Sequence, residues 1–216
     1  MKKGFTMIEL IFVIVILGIL AAVAIPRLAA TRDDAEVAKT LSNLSTFITD
    51  VTSNYTSKGE FADDVKDMTN VAQVASTTLT PLNKTGGKTV PVNFKVGKTA
   101  DCVVAYIIKN EKEDISLYVG TNSLKSVYEG LSKAQAELTK AEALEETTEA
   151  EITAKKAAIE AANTKITTAR KAVADASKEI KAPSGATAQC RTLLSTSAFA
   201  DIATKEYKLS GTAVKF

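Results

Sequence analysis

The strongest constraint on the fold is an apolar segment at the N-terminus that contains a single charged residue. Residues 5–25 number 21, and Glu9 is the one charged side chain among them. A helix rises about 1.5 Å per residue, so this length spans a hydrocarbon layer about 30 Å thick. Lys2 and Lys3 precede the segment, which predicts a cytoplasmic N-terminus and places everything after Pro26 on the far side of the membrane.

A secretory signal peptide is the alternative interpretation of the same segment. Two lysines, an apolar run and the small residues 22–24 resemble an export signal with its cleavage site, which would leave a soluble chain that starts near Ile25. Glu9 argues against this alternative, because a carboxylate within hydrocarbon costs roughly 2.5 kcal/mol or more and an export signal gains nothing from it.

Composition argues against an enzyme, a metal site and a nucleic-acid interface. The chain has no His, the residue on which acid–base and metal sites most often depend. Without its first four residues it has 25 basic and 25 acidic side chains, so no charge excess favours nucleic acid. Asp63, Asp64 and Asp67 lack the repeated ligands and the glycine of a calcium loop, and they are interpreted as a solvated helix start. The sequence predicts no catalytic residue, metal or cofactor.

The N-terminal stretch carries a resemblance to a known family. The sequence KGFTMIEL at residues 3–10, followed by an apolar run that ends at Pro26, resembles the class III signal of type IV pilins and type II secretion pseudopilins. The resemblance covers about the first 30 residues. It implies cleavage by a prepilin peptidase between Gly4 and Phe5, and N-methylation of the new Phe5 amine. It also implies that Glu9 pairs with the Phe5 amine of a neighbouring subunit during assembly.

The same resemblance implies a cellular setting. The chain would be stored in the bacterial inner membrane with its N-terminus in the cytoplasm, and would then form a periplasmic or extracellular filament with copies of itself. Its partners would be the prepilin peptidase, an inner-membrane platform protein and an assembly ATPase. A single-span, membrane-anchored periplasmic scaffold or adhesin is the alternative, and the signal alone does not distinguish a pilin from a pseudopilin.

An amphipathic stripe continues the apolar segment. Apolar residues recur at spacings of three and four from residue 37 to residue 55, and Gly59 is a helix stop. These residues are Val37, Leu41, Leu44, Ile48, Val51 and Tyr55. One helix from Phe5 to about Lys58, on the order of 80 Å long, is expected. Two helices joined at Pro26 are the alternative, and Pro26 is predicted to kink or loosen the helix.

Strand patterns follow the helix. Residues 90–96, 102–108 and 115–119 are rich in Val, Ile and Tyr, and a C-terminal pair at 206–209 and 212–216 flanks a Ser210-Gly211 turn. The expected product is a small antiparallel sheet that packs on the helix stripe, after a short helix near residues 64–74.

The two cysteines are too far apart for a local metal or redox motif. Cys102 and Cys190 lie 88 residues apart. In an exported domain a disulfide between them is favoured, with two free thiols in the core as the alternative.

The region from Leu124 to Ala182 has a seven-residue apolar register. Large residues occupy one seam position and Val127 or alanines the next, as in a coiled coil. The large residues are Leu124, Leu131, Leu138, Ile152, Ile159, Ile166, Val173 and Ile180; the second set is Val127, Ala134, Ala141, Ala162, Ala169 and Ala176. A continuous helix of about 75 Å would need another chain to cover its seam. A hairpin that turns within residues 145–155 covers itself and is favoured. If the hairpin is an autonomous insertion, its removal should leave the sheet folded.

The predicted fold class is therefore α+β and pilin-like, with a long N-terminal helix on a small antiparallel sheet and an inserted coiled-coil hairpin. The predicted divisions are listed in chain order. They are a leader at 1–4, a membrane or fibre-core helix at 5–25, its amphipathic continuation at 26–58, a globular α+β domain at 59–122 plus 183–216, and the insertion at 123–182.

Overall fold

A computed structural model of the chain describes residues 6–84, 88–109, 114–145 and 148–210. It has the predicted α+β, pilin-like architecture. The helices are α1 (Met7–Lys58), α2 (Thr80–Lys84), α3 (Lys125–Glu142), α4 (Glu149–Lys178), α5 (Ala188–Ser195) and α6 (Ser197–Ala203). The strands are β1 (Lys88–Val96), β2 (Thr99–Lys109), β3 (Ile115–Gly120) and β4 (Tyr207–Ser210). Short 3₁₀ turns occupy Val65–Asp67 and Asn122–Leu124.

Helix α1 is one continuous helix of 52 residues that passes through Pro26. The alternative of two helices joined at Pro26 is therefore wrong. Gly59 ends the helix as predicted: its φ of 75° lies in the left-handed region, and its N–H donates to the Tyr55 carbonyl at 2.8 Å. Pro26 offers no N–H to the preceding turn, and its effect on the straightness of the helix remains a prediction.

The second half of α1 lies against the sheet. Of the predicted stripe, Val37, Leu44, Ile48 and Val51 are buried, and Leu41 and Tyr55 are partly buried against the same core. Phe47 is also fully buried, and its ring meets Phe94 edge-on at a centroid distance of 4.8 Å. The stripe therefore packs as expected, widened by Phe47 and Thr40.

The four strands form one antiparallel sheet in the order β1-β2-β3-β4. Burial alternates along most of β1, whereas every residue of β3 is buried. Alternation indicates one covered face, and continuous burial indicates two. Helix α1 covers one face, with Val103, Ala105 and Ile107 of β2; the opposite face presents Val104, Tyr106 and Ile108 to a second core. The protein therefore has three layers at β2 and β3.

Helices α3 and α4 form the third layer as an antiparallel hairpin. The Lys165 ammonium of α4 lies 2.6 Å from the Glu137 carboxylate of α3. Helix α3 ends at Glu142, and α4 begins at Glu149 after Thr148 as N-cap. The alternative of a continuous helix is wrong. Helix α3 ends before the predicted turn range of 145–155, and α4 starts within that range, where Thr148 and Glu151 form a capping box. Residues 146 and 147 lie outside the described part.

The base of the hairpin shares a core with the sheet. Tyr128 and Leu131 of α3 are fully buried against Tyr106 and Tyr118, with Tyr128 ring centroids 4.5 Å and 5.2 Å from those two rings. The Tyr106 hydroxyl donates to the Thr121 carbonyl at 2.9 Å. Removing the hairpin would expose these apolar side chains to water, so we expect its deletion to destabilise the sheet. Whether the insertion is autonomous stays a prediction.

The helix predicted near residues 64–74 is also wrong, since the chain there forms only the Val65–Asp67 turn. This segment instead pairs with the outer edge of β1. The Ala75 N–H donates to the Asn93 carbonyl, and the Lys95 N–H donates to the Gln73 carbonyl, each at 2.9 Å. An edge strand otherwise presents unpaired backbone groups, and this pairing satisfies part of β1.

The C-terminal segment returns beside the start of β2. Cys102 and Cys190 form a disulfide with Cα atoms 5.8 Å apart, which joins β2 to α5. The Thr187 N–H donates to Thr99 Oγ1 at 3.0 Å next to it. Strand β4 corresponds to the predicted strand at 206–209. The predicted turn residue Gly211 and the strand at 212–216 lie outside the described residues.

Candidate functional site

Glu9 is the acidic residue of the capping box that starts α1. Its carboxylate accepts from the Thr6 N–H at 2.9 Å and from the Thr6 hydroxyl at 2.7 Å. The Thr6 hydroxyl oxygen in turn accepts from the Glu9 N–H at 3.3 Å. A negative charge is favourable at a helix N-terminus because the first N–H groups have no partner within the helix. In the single chain, Glu9 is therefore held by the first turn of its own helix.

The first half of α1 is left largely uncovered by the other described residues. Residues 6–32 are all exposed. The large apolar side chains of this half range from 41% exposed at Ile16 to 79% at Ile8. Within the described part, α1 is the one helix that is long and apolar enough to cross a membrane. Apolar area on this scale requires lipid or other helices around it.

This apolar half follows a sequence motif with a known match. Residues 1–25 match the family model described as the prokaryotic N-terminal methylation motif. The chain carries a type IV pilin-like class III signal. The class III signal implies processing by a prepilin peptidase and assembly into pilus-like filaments. No curated protein and no solved structure is significantly similar to the chain.

The structure places only part of the predicted class III site. Glu9 and Pro26 both lie in the exposed half of α1. Gly4 and Phe5, the predicted cleavage and methylation residues, lie outside the described residues. Their roles, the pairing role of Glu9 and the kink at Pro26 stay predictions.

The second half of α1 contacts the domain through hydrogen bonds as well as through the apolar stripe. Gln73 Nε2 donates to Thr40 Oγ1 at 2.9 Å and to Glu36 Oε1 at 3.2 Å, and Gln73 Oε1 accepts from Asn43 at 2.9 Å. These contacts hold the segment after α1 against the helix. The Gln189 side-chain amide of α5 donates to Asp33 at 2.8 Å. This hydrogen bond holds α5 against α1 directly after the exposed half of the helix.

Of the acidic residues considered for calcium, Asp64 has a structural role. Asp64 accepts from the Lys66 N–H at 2.9 Å and from the Ser76 hydroxyl. These two hydrogen bonds, that of Ser76 above all, lower the pKa of Asp64 from its usual range. Among the described residues, no group of three or more His, Cys, Asp or Glu side chains is placed to hold a metal ion.

Sequence reasoning missed Thr6 as a member of the site, although a signal for it was present. Thr6 and Glu9 have the T-x-x-E spacing of a capping box, with an apolar run directly after it. It missed Gln73 as well, and there no local pattern marks the residue. Its partners on α1 lie 30 to 37 residues away in sequence and are brought to it only by the fold.

Proposed function

We propose that this chain is a structural subunit of a type IV pilus or of a type II secretion pseudopilus. A prepilin peptidase cuts between Gly4 and Phe5, the Phe5 amine is methylated, and the mature chain polymerises through α1. An inner-membrane platform protein and a cytoplasmic ATPase drive the assembly. The subunit has a structural role and performs no chemistry itself.

The observation that carries this proposal is the division of α1 into two halves. The half up to Arg32 is mostly apolar, exposed and largely uncovered by the rest of the described chain, and the half from Val37 is built into the core of the domain. A subunit that is stored in lipid and then moved into the centre of a helical fibre needs a helix of this kind. In both environments the apolar half is covered, first by acyl chains and then by the same half of other copies.

Glu9 acts as the residue that makes assembly specific. In the stored subunit its carboxylate is bonded to Thr6. In the fibre the positive Phe5 amine of a neighbouring copy provides a charge partner. A charge in a low-dielectric environment is stabilised far more by a counter-charge than by neutral donors alone. The copy that supplies the amine is thereby bound in one axial position.

Two substitutions separate the charge of Glu9 from its capping role. Glu9→Gln keeps an acceptor for the Thr6 hydroxyl but removes the charge, and we expect membrane insertion without filaments. Thr6→Ala removes the cap but keeps the charge, and filaments should still form at reduced yield. Filaments counted by electron microscopy, with membrane fractions as the control for insertion, distinguish the two. Normal filaments from Glu9→Gln would refute the pairing argument.

The start of the mature chain distinguishes this function from the alternatives. Mass spectrometry should find a chain that begins with methylated Phe5. An intact Met1 would favour a membrane-anchored scaffold or adhesin. A start near Ile25 would mean an exported soluble protein, and would contradict the proposal.

A further inference from the structure

The hairpin tip is the most exposed apolar part of the domain. Leu144 and Ile152 are each 49% exposed, and among the described residues they are the only large apolar side chains outside α1 that are exposed. Ile152 belongs to the same seven-residue register as the buried Ile166 and Val173. The apolar seam between α3 and α4 therefore continues onto the tip, where it is left uncovered.

The hairpin is also strongly polarised in charge. The described residues 142–145 and 148–152, which we call the tip, contain four glutamates and no lysine or arginine. Residues 125–141 and 153–181, which form the rest of the hairpin, contain ten basic and five acidic side chains. The tip is therefore negative and the remainder positive, a distribution that favours contact between the tip of one copy and the base of another.

A groove on the base of the hairpin has the properties that the tip requires. It has a volume of about 560 Å³ and runs between α3 and α4. Gly130, Ala134, Ala169 and Ala172 line it together with Lys133 and Lys165. The small residues leave room for large side chains. Lys133 supplies charge opposite to that of the tip, whereas Lys165 is already paired with Glu137, which also lines the groove.

The groove faces away from the sheet. Gly130, Lys133 and Glu137 line it at helical spacing, whereas Tyr128 and Leu131 turn to the sheet from another face of α3. Helix α1 lies on the other side of the sheet. In a filament with α1 at its centre, the hairpin is the outer layer and its groove opens outward.

The tip points away from the membrane half of α1. Near the base of the hairpin, the Tyr128 hydroxyl donates to the Val119 carbonyl at 3.4 Å. Nearer the tip, the Arg170 guanidinium lies 3.7 Å from the Glu206 carboxylate. Glu206 in turn accepts from the Ser116 hydroxyl at 2.7 Å. The hairpin thus runs from the Gly120 end of β3 towards its Ile115 end. The opposite end of the sheet, at the β1–β2 turn, lies beside residues 29–36 of α1. Helix α4 has 30 residues and α3 has 18 residues, so α4 is longer than α3 by about 18 Å.

We infer that the tip of one copy docks in the α3–α4 groove of a second copy, as a head-to-tail contact along the outer surface of the filament. Leu144 and Ile152 cover the small residues of the groove, and the glutamates of the tip lie near Lys133. Such a contact is heterologous, so it propagates along a helix without closing. The inference rests on the proposed function, because the filament is what aligns the two copies.

Disulfide trapping in assembled filaments tests the contact directly. Ile152→Cys with Ala172→Cys adds one thiol to the tip and one to the groove, and the native cysteines are already paired with each other. Mild oxidation should give a ladder of cross-linked copies on a non-reducing gel. The matched control is Ile152→Cys with Lys95→Cys, since Lys95 is exposed on β1 outside the groove. Filaments that give no ladder, or an equal ladder in the control, overturn the contact but leave the proposed function intact.

Charge exchange provides the second test. Glu149→Lys and Lys133→Glu should each reduce the trapped fraction up to about fivefold, as expected for an exposed ion pair, and the double variant should recover it. A double variant no better than either single one would overturn this pairing of tip and groove. Absence of filaments from the unsubstituted chain would overturn the proposed function, and with it this contact.

Discussion

Replacing Leu131 with alanine should weaken the whole domain and not the hairpin alone. Leu131 is fully buried between α3 and the sheet, in the same cluster as Val104, Tyr106 and Tyr128. Substituting a buried leucine with alanine typically costs about 3–5 kcal/mol, because the apolar contacts are lost and a cavity remains. Domains of this kind are stable by about 5–15 kcal/mol, so the expected loss is a large fraction of the total.

Ile152→Ala is the matched control for this prediction. Ile152 is on the same seven-residue register as Leu131 but is half exposed at the tip. Its substitution should cost less than about 1 kcal/mol, since there is little burial to lose and no closed cavity to form. The pair therefore compares a base position with a tip position in one apolar seam.

Urea unfolding of the full chain in detergent micelles, followed by hydrogen exchange and mass spectrometry, measures both effects. With Leu131→Ala, peptides from β2 and from α4 should lose protection together and at lower urea concentration. If protection falls in α4 while β2 is unchanged, the hairpin is an independent unit. That result would refute the shared core and support the autonomous insertion expected from the sequence.

Three further predictions concern the disulfide, the tyrosines and the N-cap. Cys102→Ser should cost about 4–5 kcal/mol in oxidised protein, because the disulfide closes a loop of 88 residues, and nothing after reduction; denaturant melts under both conditions check this. Burial raises the pKa of Tyr128 to about 12, so the folded state keeps a proton that the unfolded state loses above about pH 10. Tyr128 alone therefore leaves stability unchanged below pH 10 and lowers it by about 3 kcal/mol as the pH rises to 12. Burial also raises the pKa values of Tyr106 and Tyr118, which add to this fall. Tyrosinate absorbance during alkaline unfolding measures the effect. Thr6→Ala should lower helix stability by about 1 kcal/mol, seen as faster amide exchange in the first turn of α1.

Local signals explain why so much of α1 and the sheet could be predicted. Each signal for α1 is local in sequence: the length of the apolar run, the stripe from Val37 and the stop at Gly59. The runs that became β1, β2 and β3 are rich in β-branched residues, and their predicted bounds differ from the observed ones by three residues or fewer. In each case the local preference and the final packing agree.

The segment between α1 and β1 was mispredicted because its conformation is decided by a distant strand. The pattern near residues 64–74 resembled a helix, but its backbone groups pair with β1 some 20 residues later. Likewise, the burial of the outer face of β2 depends on α3, which a strand pattern cannot reveal. Tertiary pairing overrode local preference at these positions.

Helices α2, α5 and α6 were not predicted, although capping residues marked the starts of α5 and α6. Thr187 accepts from the Cys190 N–H at 3.4 Å, and Thr196 accepts from the Phe199 N–H at 3.2 Å. Helices of eight and seven residues are too short to show an apolar period, so the caps were the only local signal. The Thr148 cap would also have placed the start of α4 correctly.

The geometry of α1 bears on how much of the subunit changes during the proposed assembly. Residues 7–32 are exposed and account for about 39 Å of helix, of which the apolar segment needs about 30 Å. The contact from Gln189 to Asp33 and the burial of Val37 begin directly afterwards. The domain therefore sits within one or two helical turns of the hydrocarbon layer. The described contacts of the domain with α1 lie beyond that level. If the chain assembles as proposed, we therefore expect transfer from lipid to fibre to change the surroundings of the exposed half and to leave the folded domain intact.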